Sequence, residues 1–208
     1  LDQRYLHDDR AHFAIVDVRD RDELTVKMAG IDIVFHAAAL KHVILCERSP
    51  EQAVQTNIHG VQNIIAAANA NQVEKVIFTS SDKAVNPTNV MGTSKLMGER
   101  LMTAANSNKR GKGPIFASTR FGNVLGSNGS VIPIFHNQIA KGGPVTLTER
   151  NMTRFVMSIE DSVQLVKITQ RLDSVQSVLS DIRDQYQDDI NIGIDRLNSW
   201  VGFWLALL

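Results

Sequence analysis

Short apolar runs alternate along this chain with longer segments in which apolar residues recur at helical spacing. Runs rich in branched and aromatic residues predict buried strands of a parallel sheet, because helices cover both faces of such a sheet. The predicted strands are residues 13–20, 31–39, 76–81, 115–126 and 144–148. The predicted helices are residues 49–70, 91–106, 130–141 and 159–170. This alternation indicates right-handed crossovers and an α/β fold built on a parallel sheet.

Local signals mark several helix starts. Ser49 and Pro50 predict a capping serine followed by a proline in the first turn, and Ser158 opens the last predicted helix. Asp17 and Asp20 lie in the charged turn that ends the first strand and, taken alone, are expected to solvate a loop and cap the next helix. Asn57 falls inside the helix 49–70, where an amide is mildly unfavourable. It either bridges to a neighbouring strand or faces water.

Composition excludes some classes of function. The 208 residues are 43% hydrophobic and 21% charged, and Lys plus Arg equal Asp plus Glu at 22 each. Such a balance describes a globular protein and gives no basic surplus for nucleic acid. Cys46 is the only cysteine, which excludes an internal disulfide and fits a reducing cytosol. With no signal peptide and no apolar run of about 18 residues, we expect a cytoplasmic protein, with the inner membrane face as the alternative.

Candidate chemistry concentrates where the strand 76–81 ends. Ser81, Asp82 and Lys83 come directly after this strand, at the edge where a doubly wound sheet binds ligands. Together with Lys95 they are the groups able to move protons. An adjacent acid and base can tune each other's pKa, as general acid–base catalysis requires. The alternative for Asp82 and Lys83 is an exposed ion pair in a loop.

Other site classes lack their signatures. The glycine-rich dinucleotide loop is absent, and the segment 122–129 has the wrong spacing and place to replace it. No pair of histidines or cysteines has metal-ligand spacing, and no serine lies in a nucleophile elbow. The strand 31–39 ends in small residues that permit a flat ligand to approach the backbone. His36 is expected to be a packed strand histidine, and Lys41 is a candidate binding residue.

Seven blocks in order resemble the extended short-chain dehydrogenase/reductase superfamily, and most closely its nucleotide-sugar 4,6-dehydratases of polysaccharide biosynthesis. The blocks are residues 17–20, 36–43, 79–89, 91–95, 120–127, 130–133 and 152–155. The resemblance covers residues 13 to about 170. It implies a Rossmann-like parallel sheet, a bound NAD or NADP, and UDP-N-acetylglucosamine as the UDP-sugar substrate.

The resemblance also implies roles for individual residues. Met91 replaces the superfamily's usual tyrosine four residues before Lys95, so Asp82 becomes the base for the sugar 4-hydroxyl. Lys83 would remove the C5 proton, and Ser81 would position the substrate. The implied cofactor-binding residues are Asp17, Val18, Ala37, Ala38, Ala39, Met91, Lys95 and Val124. The implied substrate-binding residues are Lys41, Asn123, Val131, Ile132, Pro133 and Arg154.

Two departures from the family pattern shape the expected architecture. The first strand, glycine loop and first helix of the family would precede residue 13, so the expected sheet lacks its first βα unit. From residue 171 the apolar spacing is close to a heptad, which predicts a C-terminal amphipathic helix with an apolar end. We therefore divide the chain into a partial dehydratase domain, 1–170, and a helix, 171–208, that offers coiled-coil or membrane-surface contact.

Two functions compete at this level. The first is a nucleotide-sugar 4,6-dehydratase, of which this chain is a part. The second is a non-catalytic relative that associates through its C-terminal helix. A sister epimerase or reductase is disfavoured by Asp82 and Lys83 together with Met91. A homo-oligomer stays open.

Overall fold

The computed structural model describes residues 8–109, 112–127, 131–147 and 149–171. The residues up to Val166 belong to one unit, and a second unit begins at Lys167. The helix expected over 171–208 lies, from residue 172 onward, outside the described residues, and the proposed division at residue 170 stays a prediction.

The centre of the fold is a three-stranded parallel sheet. Its strands β1 (Ile33–His36), β2 (Lys75–Ser81) and β3 (Ile115–Phe121) lie in the order β1-β2-β3. The register pairs Phe35 with Ile77 and Ile77 with Ala117. Two shorter strands, β4 (Asn123–Val124) and β5 (Val156–Met157), form a separate parallel pair. The predicted α/β fold with a parallel sheet is confirmed.

Helices connect these strands. The first two are α1 (Arg21–Lys27) and α2 (Val43–Arg48). Helix α3 consists of Pro50–Ala53, a wider π-helical segment Val54–His59, and Gly60–Ala70, which follow one another directly. Helices α4 (Val90–Asn108) and α5 (Val131–Ala140) precede a last helix, α6, that begins at residue 159. The four predicted helices are therefore present, α1 is the helix expected after the first predicted strand, for which no bounds were predicted, and α2 is additional.

The helix caps agree with the sequence in two cases and differ in one. Asp20 caps α1 by accepting a hydrogen bond from the backbone of Glu23 at 2.9 Å. The Ser158 hydroxyl accepts the Asp161 amide at 3.0 Å at the start of α6. The cap expected of Ser49 is wrong, since its side chain makes no such bond. Its amide instead donates to the Leu45 carbonyl and closes α2, while its carbonyl accepts the Gln52 and Ala53 amides at the start of α3.

Two predicted strands are absent from the described residues. The segment 13–20 is not a strand, and Ile15 is 98% exposed. A strand requires a pairing partner, and the only described neighbour of β1 is β2, so nothing pairs with this segment. Residues 144–147 are not a strand either. There the Gln138 side chain binds both the amide and the hydroxyl of Thr146, at 3.1 and 2.8 Å, which replaces strand pairing.

The apolar core lies between the sheet and the helices, and it fixes where α4 runs. Phe78 of β2 packs with Val61 of α3 and Met102 of α4, and all three are buried. A β-carbon on Gly98 would lie 2.7 Å from the Phe78 ring, so only glycine allows α4 to approach β2 this closely. This close packing brings the first turns of α4 against the carboxyl end of β2, where the candidate chemistry lies.

Candidate functional site

A cleft of about 550 Å³ opens at the carboxyl ends of β2 and β3. This volume is in the range of cofactor and small-molecule sites. Its walls come from the loop after β1, the end of β2, the start of α4, and the β4–β5 pair. The lining residues are Ala37, Ala39, Lys41, His42, Thr79, Ser80, Ser81, Lys83, Met91, Lys95, Phe121, Gly122, Asn123, Val124, Leu125, Ser127, Val131, Ile132, Arg154 and Val156.

Ser81, Asp82 and Lys83 form one hydrogen-bonded array at the end of β2. A single 3₁₀ turn, Asp82–Ala84, follows the strand. The Ser81 hydroxyl donates to Asp82 Oδ1 at 2.9 Å and accepts the Lys83 amide at 3.3 Å. Lys83 Nζ donates to Asp82 Oδ1 at 3.0 Å and to Asn123 Oδ1 at 3.1 Å. The adjacent acid and base therefore form an ordered hydrogen-bonded pair. The alternative from the sequence was an exposed ion pair in a loop.

Asp82 receives side-chain hydrogen bonds from two donors. Ser81 and Lys83 both donate to its Oδ1. Burial alone would raise the pKa of Asp82, but hydrogen bonds from the Lys83 and Ser81 side chains and the Lys83 backbone, together with the lysine charge, outweigh it, so the pKa lies below its usual value. The side chain is 20% exposed. Asp82 is thus an ionised, partly buried carboxylate.

Gly92 allows this turn to lie against the start of α4. A β-carbon on Gly92 would overlap the carbonyl oxygen of Lys83 and contact Pro87. The start of α4 is itself fixed from two sides. The Asn89 side chain accepts the Gly92 amide at 2.8 Å, and Glu47 of α2 accepts the Val90 amide at 2.6 Å. These contacts hold the Lys83 backbone and the first turn of α4 in one arrangement.

Lys95 lies under the cleft, one turn after Met91. It is 6% exposed, its Nζ donates to the Thr79 carbonyl at 2.8 Å, and it lies 4.7 Å from the centroid of the Phe78 ring. Burial lowers the pKa of Lys95 to about 8. His36 packs on the same ring at 5.6 Å, and burial together with the Lys95 charge lowers its pKa to about 4. His36 is a buried, neutral strand residue, as the sequence predicts.

We expect Lys95→Met to stabilise the chain at neutral pH. A lysine whose pKa falls from 10.5 to about 8 on folding opposes folding by about 3 kcal/mol at pH 7. The variant also loses the hydrogen bond to Thr79, which destabilises it by about 1 kcal/mol. The free energy of unfolding should therefore rise by about 2 kcal/mol. Between pH 8 and 10.5 the unfolded chain binds more protons, so wild-type stability rises with pH and the difference shrinks. Urea unfolding at pH 7 and pH 10 measures this, with Lys141→Met as an exposed control.

Met91 forms the apolar wall where the superfamily carries a phenol. It is 4% exposed and packs in a small cluster with the buried residues Cys46 and Ala53. A thioether neither donates nor releases a proton. Met91 therefore cannot serve as a proton-transfer group in this cleft.

The structure brings most of the expected site residues together. Of the predicted set, the cleft is lined by Ser81, Lys83, Ala37, Ala39, Met91, Lys95, Val124, Lys41, Asn123, Val131, Ile132 and Arg154. Asp82 contacts Ser81 and Lys83 directly. Asp82, Ala38 and Pro133 do not line the cleft. The binding roles assigned to all of these residues stay predictions.

Asp17 and Val18 lie apart from this lining. The Asp17 carboxylate pairs with Arg19 at 2.6 Å, and these hydrogen bonds lower its pKa to about 2. It faces a separate depression lined by Asp17, Arg19, Asp20, Arg21 and Asp22. Val18 packs against Gly60, where a β-carbon would lie 3.0 Å from the valine side chain. Neither arrangement tests the adenine contact that the resemblance implies.

Several residues at the site were not identified from the sequence. The largest omission is the contact of Asn123 with Lys83, which joins positions 40 residues apart. The others are the lining residues His42, Thr79, Ser80, Phe121, Gly122, Leu125, Ser127 and Val156. Thr79 and Ser80 could have been found, because they precede Ser81 at the same strand end.

Among the residues that the structure describes, no group of three or more histidine, cysteine, aspartate or glutamate side chains could hold a metal ion. Within that same part of the chain, no helix has the length and apolar character needed to cross a bilayer.

Comparison with curated proteins gives relatives that match over about half of their own length. An uncharacterized membrane protein of Methanocaldococcus jannaschii is 53% identical over 77% of this chain and 48% of that protein. The UDP-glucose 4-epimerase of Rickettsia bellii is 51% identical over 77% of this chain and 47% of the enzyme. The inverting UDP-N-acetylglucosamine 4,6-dehydratase of Campylobacter jejuni is 47% identical over 74% of this chain and 46% of the enzyme.

Two solved structures are also similar to this chain. Pen from Bacillus thuringiensis has a TM-score of 0.77 at 44% identity, over 80% of this chain and 52% of that one. A double mutant of the dTDP-glucose 4,6-dehydratase of Streptomyces venezuelae, solved with NAD bound, has a TM-score of 0.70 at 21% identity, over 77% of this chain and 55% of that one. The second likeness shows the fold alone.

The family match extends further than the sequence pattern suggests. The protein-family model described as polysaccharide biosynthesis protein matches residues 2–185. The match therefore continues past residue 170, near which the spacing of apolar residues changes. Relatives of this chain carry the names of both epimerases and dehydratases of nucleotide sugars. The chain belongs to the polysaccharide biosynthesis protein family, a group of nucleotide-sugar-modifying relatives within the extended short-chain dehydrogenases/reductases.

Proposed function

We propose that this chain carries the catalytic residues of a nucleotide-sugar 4,6-dehydratase that acts on UDP-N-acetylglucosamine. The observation that carries the proposal is the array at the end of β2. Asp82 and Lys83 are a hydrogen-bonded acid–base pair beside Met91, which cannot take part in proton transfer. A dehydratase needs two proton-transfer groups, one at the sugar hydroxyls and one at C5. The pair supplies both.

The cleft suits the nicotinamide end of NAD or NADP. Lys95 donates one hydrogen bond, to Thr79, so two of its N–H groups remain for the ribose hydroxyls. Ala37 and Ala39 have short side chains beside the position that a flat ring would take. Val124 would close this part of the cleft. Asp17 and Val18 would meet the adenine, as the resemblance implies. When bound, NAD or NADP would supply the hydride chemistry, as the acceptor of hydride from C4 and its donor to C6.

The chain's own residues would move the protons in four transfers. Asp82 accepts the proton of the sugar 4-hydroxyl on Oδ2, while Ser81 and Lys83 hold Oδ1. The resulting C4 ketone acidifies C5, and Lys83 in its neutral form removes the C5 proton. Asp82 then gives its proton to the leaving 6-hydroxyl, which departs as water. Lys83 returns a proton to C5, and the product is a 4-keto-6-deoxy sugar.

The substrate side of the cleft suits a nucleoside diphosphate. Arg154 lines it, and its guanidinium donates a hydrogen bond to the neighbouring Thr153 carbonyl at 3.0 Å. A guanidinium binds phosphate oxygens in pairs. Lys41 adds a second cation to the lining, and Val131 and Ile132 add apolar contact beside Pro133. We propose that these residues hold the UDP moiety while the sugar reaches Asp82.

One experiment separates the candidate functions. The purified chain is titrated with NAD and with NADP by calorimetry, each with UDP-N-acetylglucosamine present, and the products are resolved by mass spectrometry and NMR. Binding at about micromolar levels and a product that has lost one water support the dehydratase. A product of unchanged mass and inverted C4 would overturn it in favour of an epimerase, the activity named for the Rickettsia relative. The absence of binding up to about millimolar cofactor would favour a non-catalytic relative.

A further inference from the structure

Lys83 is held by two acceptors, and only one of them is its neighbour in the chain. Its Nζ donates to Asp82 Oδ1 at 3.0 Å and to Asn123 Oδ1 at 3.1 Å. Asn123 stands among the residues that the resemblance assigns to the substrate. Its amide oxygen is instead committed to Lys83 in this structure. The lysine is thus bound at two points across the cleft.

Asn123 is fixed by the β4–β5 pair. Its backbone amide donates to the Phe155 carbonyl at 2.7 Å, and two residues on Leu125 donates to Met157 at 3.0 Å. Gly122 allows the two strands to approach this closely, because a β-carbon there would lie only 2.7 Å from the Phe155 carbonyl oxygen. The Asn123 side chain is therefore anchored through its backbone before it meets Lys83.

We propose that Asn123 is a positioning residue that aims the lone pair of neutral Lys83 into the cleft; this inference rests on the proposed function. A charged lysine has three N–H donors, and two are used by Asp82 and Asn123. When the third proton leaves, the two remaining N–H groups keep both acceptors. The lone pair then takes the third direction, toward the cleft that Lys83 lines.

Without Asn123 this direction is lost. The lysine side chain is a flexible four-carbon stem, and its remaining acceptor, Asp82, is adjacent in sequence and turns with it. Misplacement of a catalytic group by about 1 Å costs about 100-fold in rate. Asn123 acts through Lys83 and need not touch the substrate. A loss should therefore appear in kcat and leave KM within about twofold.

The test compares Asn123→Ala, Asn123→Asp and, as a matched control, Asn151→Ala on an exposed turn. The first readout is the rate at which acetic anhydride modifies Lys83 in the purified chain, relative to the exposed Lys141, by peptide mass spectrometry. Asn123→Ala should raise this ratio about fivefold, because the freed amine loses an acceptor that favours its charged form. Asn123→Asp should lower it, since a carboxylate favours that form further. Asn151→Ala should leave the ratio unchanged.

The second readout is steady-state kinetics of the enzyme that contains this chain. We expect kcat of Asn123→Ala to fall about 100-fold with KM unchanged, and the rate–pH profile of Asn123→Asp to move to higher pH. An unchanged labelling ratio in Asn123→Ala, or a raised KM with kcat kept, would overturn the inference and return Asn123 to direct substrate contact. The labelling does not depend on turnover. If labelling shifts as expected in a protein without dehydratase activity, the proposed function fails and the contact with Lys83 stands.

Discussion

Replacing Asp82 by asparagine should reduce turnover of UDP-N-acetylglucosamine by about 10³- to 10⁴-fold, at the upper end of what general acid–base groups contribute. Asparagine has the shape of aspartate and still accepts the hydrogen bonds that Ser81 and Lys83 donate to Oδ1. It cannot take the proton of the 4-hydroxyl or return it to the 6-hydroxyl. Product formation in a single turnover measures the loss.

The same variant should keep its cofactor. Affinity for NAD or NADP, measured by calorimetry, should stay within about twofold of the wild-type value, because Asp82 does not line the proposed nicotinamide position. Asp32→Asn, on an exposed part of the loop before β1, is the matched control and should leave both quantities unchanged. Retained turnover in Asp82→Asn would refute the assignment of Asp82 as the base.

The fold was predictable where the sequence pattern reports burial. Strands β1, β2 and β3 are apolar because helices pack on the sheet, so a local run of apolar residues is enough to find them. Residues 13–20 carry the same kind of run, yet they are not a strand. Pairing depends on a partner elsewhere in the chain, and an apolar run does not report whether that partner is present.

The site was predictable where its residues are neighbours in the chain. Ser81, Asp82 and Lys83 are consecutive, so their position after a strand places them together without knowledge of the fold. The contact between Lys83 and Asn123 depends on how β4 pairs with β5 and had no local signal. From the sequence one can read which residue types follow a strand. Whether the Asn123 amide contacts the substrate or Lys83 depends on the tertiary structure.

Asn57 illustrates the same limit, because the sequence left two alternatives for it. The side chain is 2% exposed in the π-helical segment of α3 and bridges to the loop after β1. Its oxygen accepts the Leu40 amide at 2.8 Å, and its nitrogen donates to the Leu40 carbonyl at 3.0 Å and to Ser94 Oγ at 2.9 Å. Ser94 in turn donates to the Met91 carbonyl at 2.8 Å. One amide thus ties two walls of the cleft together.

Asn57→Ala should lower the free energy of unfolding by about 3–5 kcal/mol. The change removes three hydrogen bonds, at about 1 kcal/mol each, and leaves the part-buried Leu40 amide without this partner, which adds up to about 2 kcal/mol, while the Leu40 carbonyl keeps the Cys46 thiol at 3.7 Å. Urea unfolding measures it. Asn69→Ala is the control on the same helix: Asn69 is exposed and donates to the Ile65 carbonyl one turn earlier, so its loss should stay within about 0.5 kcal/mol.

A loss smaller than about 1 kcal/mol in Asn57→Ala would mean that the loop after β1 finds other partners, and that the two cleft walls are joined by packing alone. Asn57→Asp separates these cases further, because it keeps the acceptor for the Leu40 amide and removes the donor to Ser94 and the Leu40 carbonyl. If the hydrogen bonds hold the walls together, this variant should be at least as unstable as Asn57→Ala at neutral pH, since it places an ionised carboxylate near the Leu40 carbonyl oxygen. Its stability should then recover as the pH falls and the buried carboxyl takes up a proton.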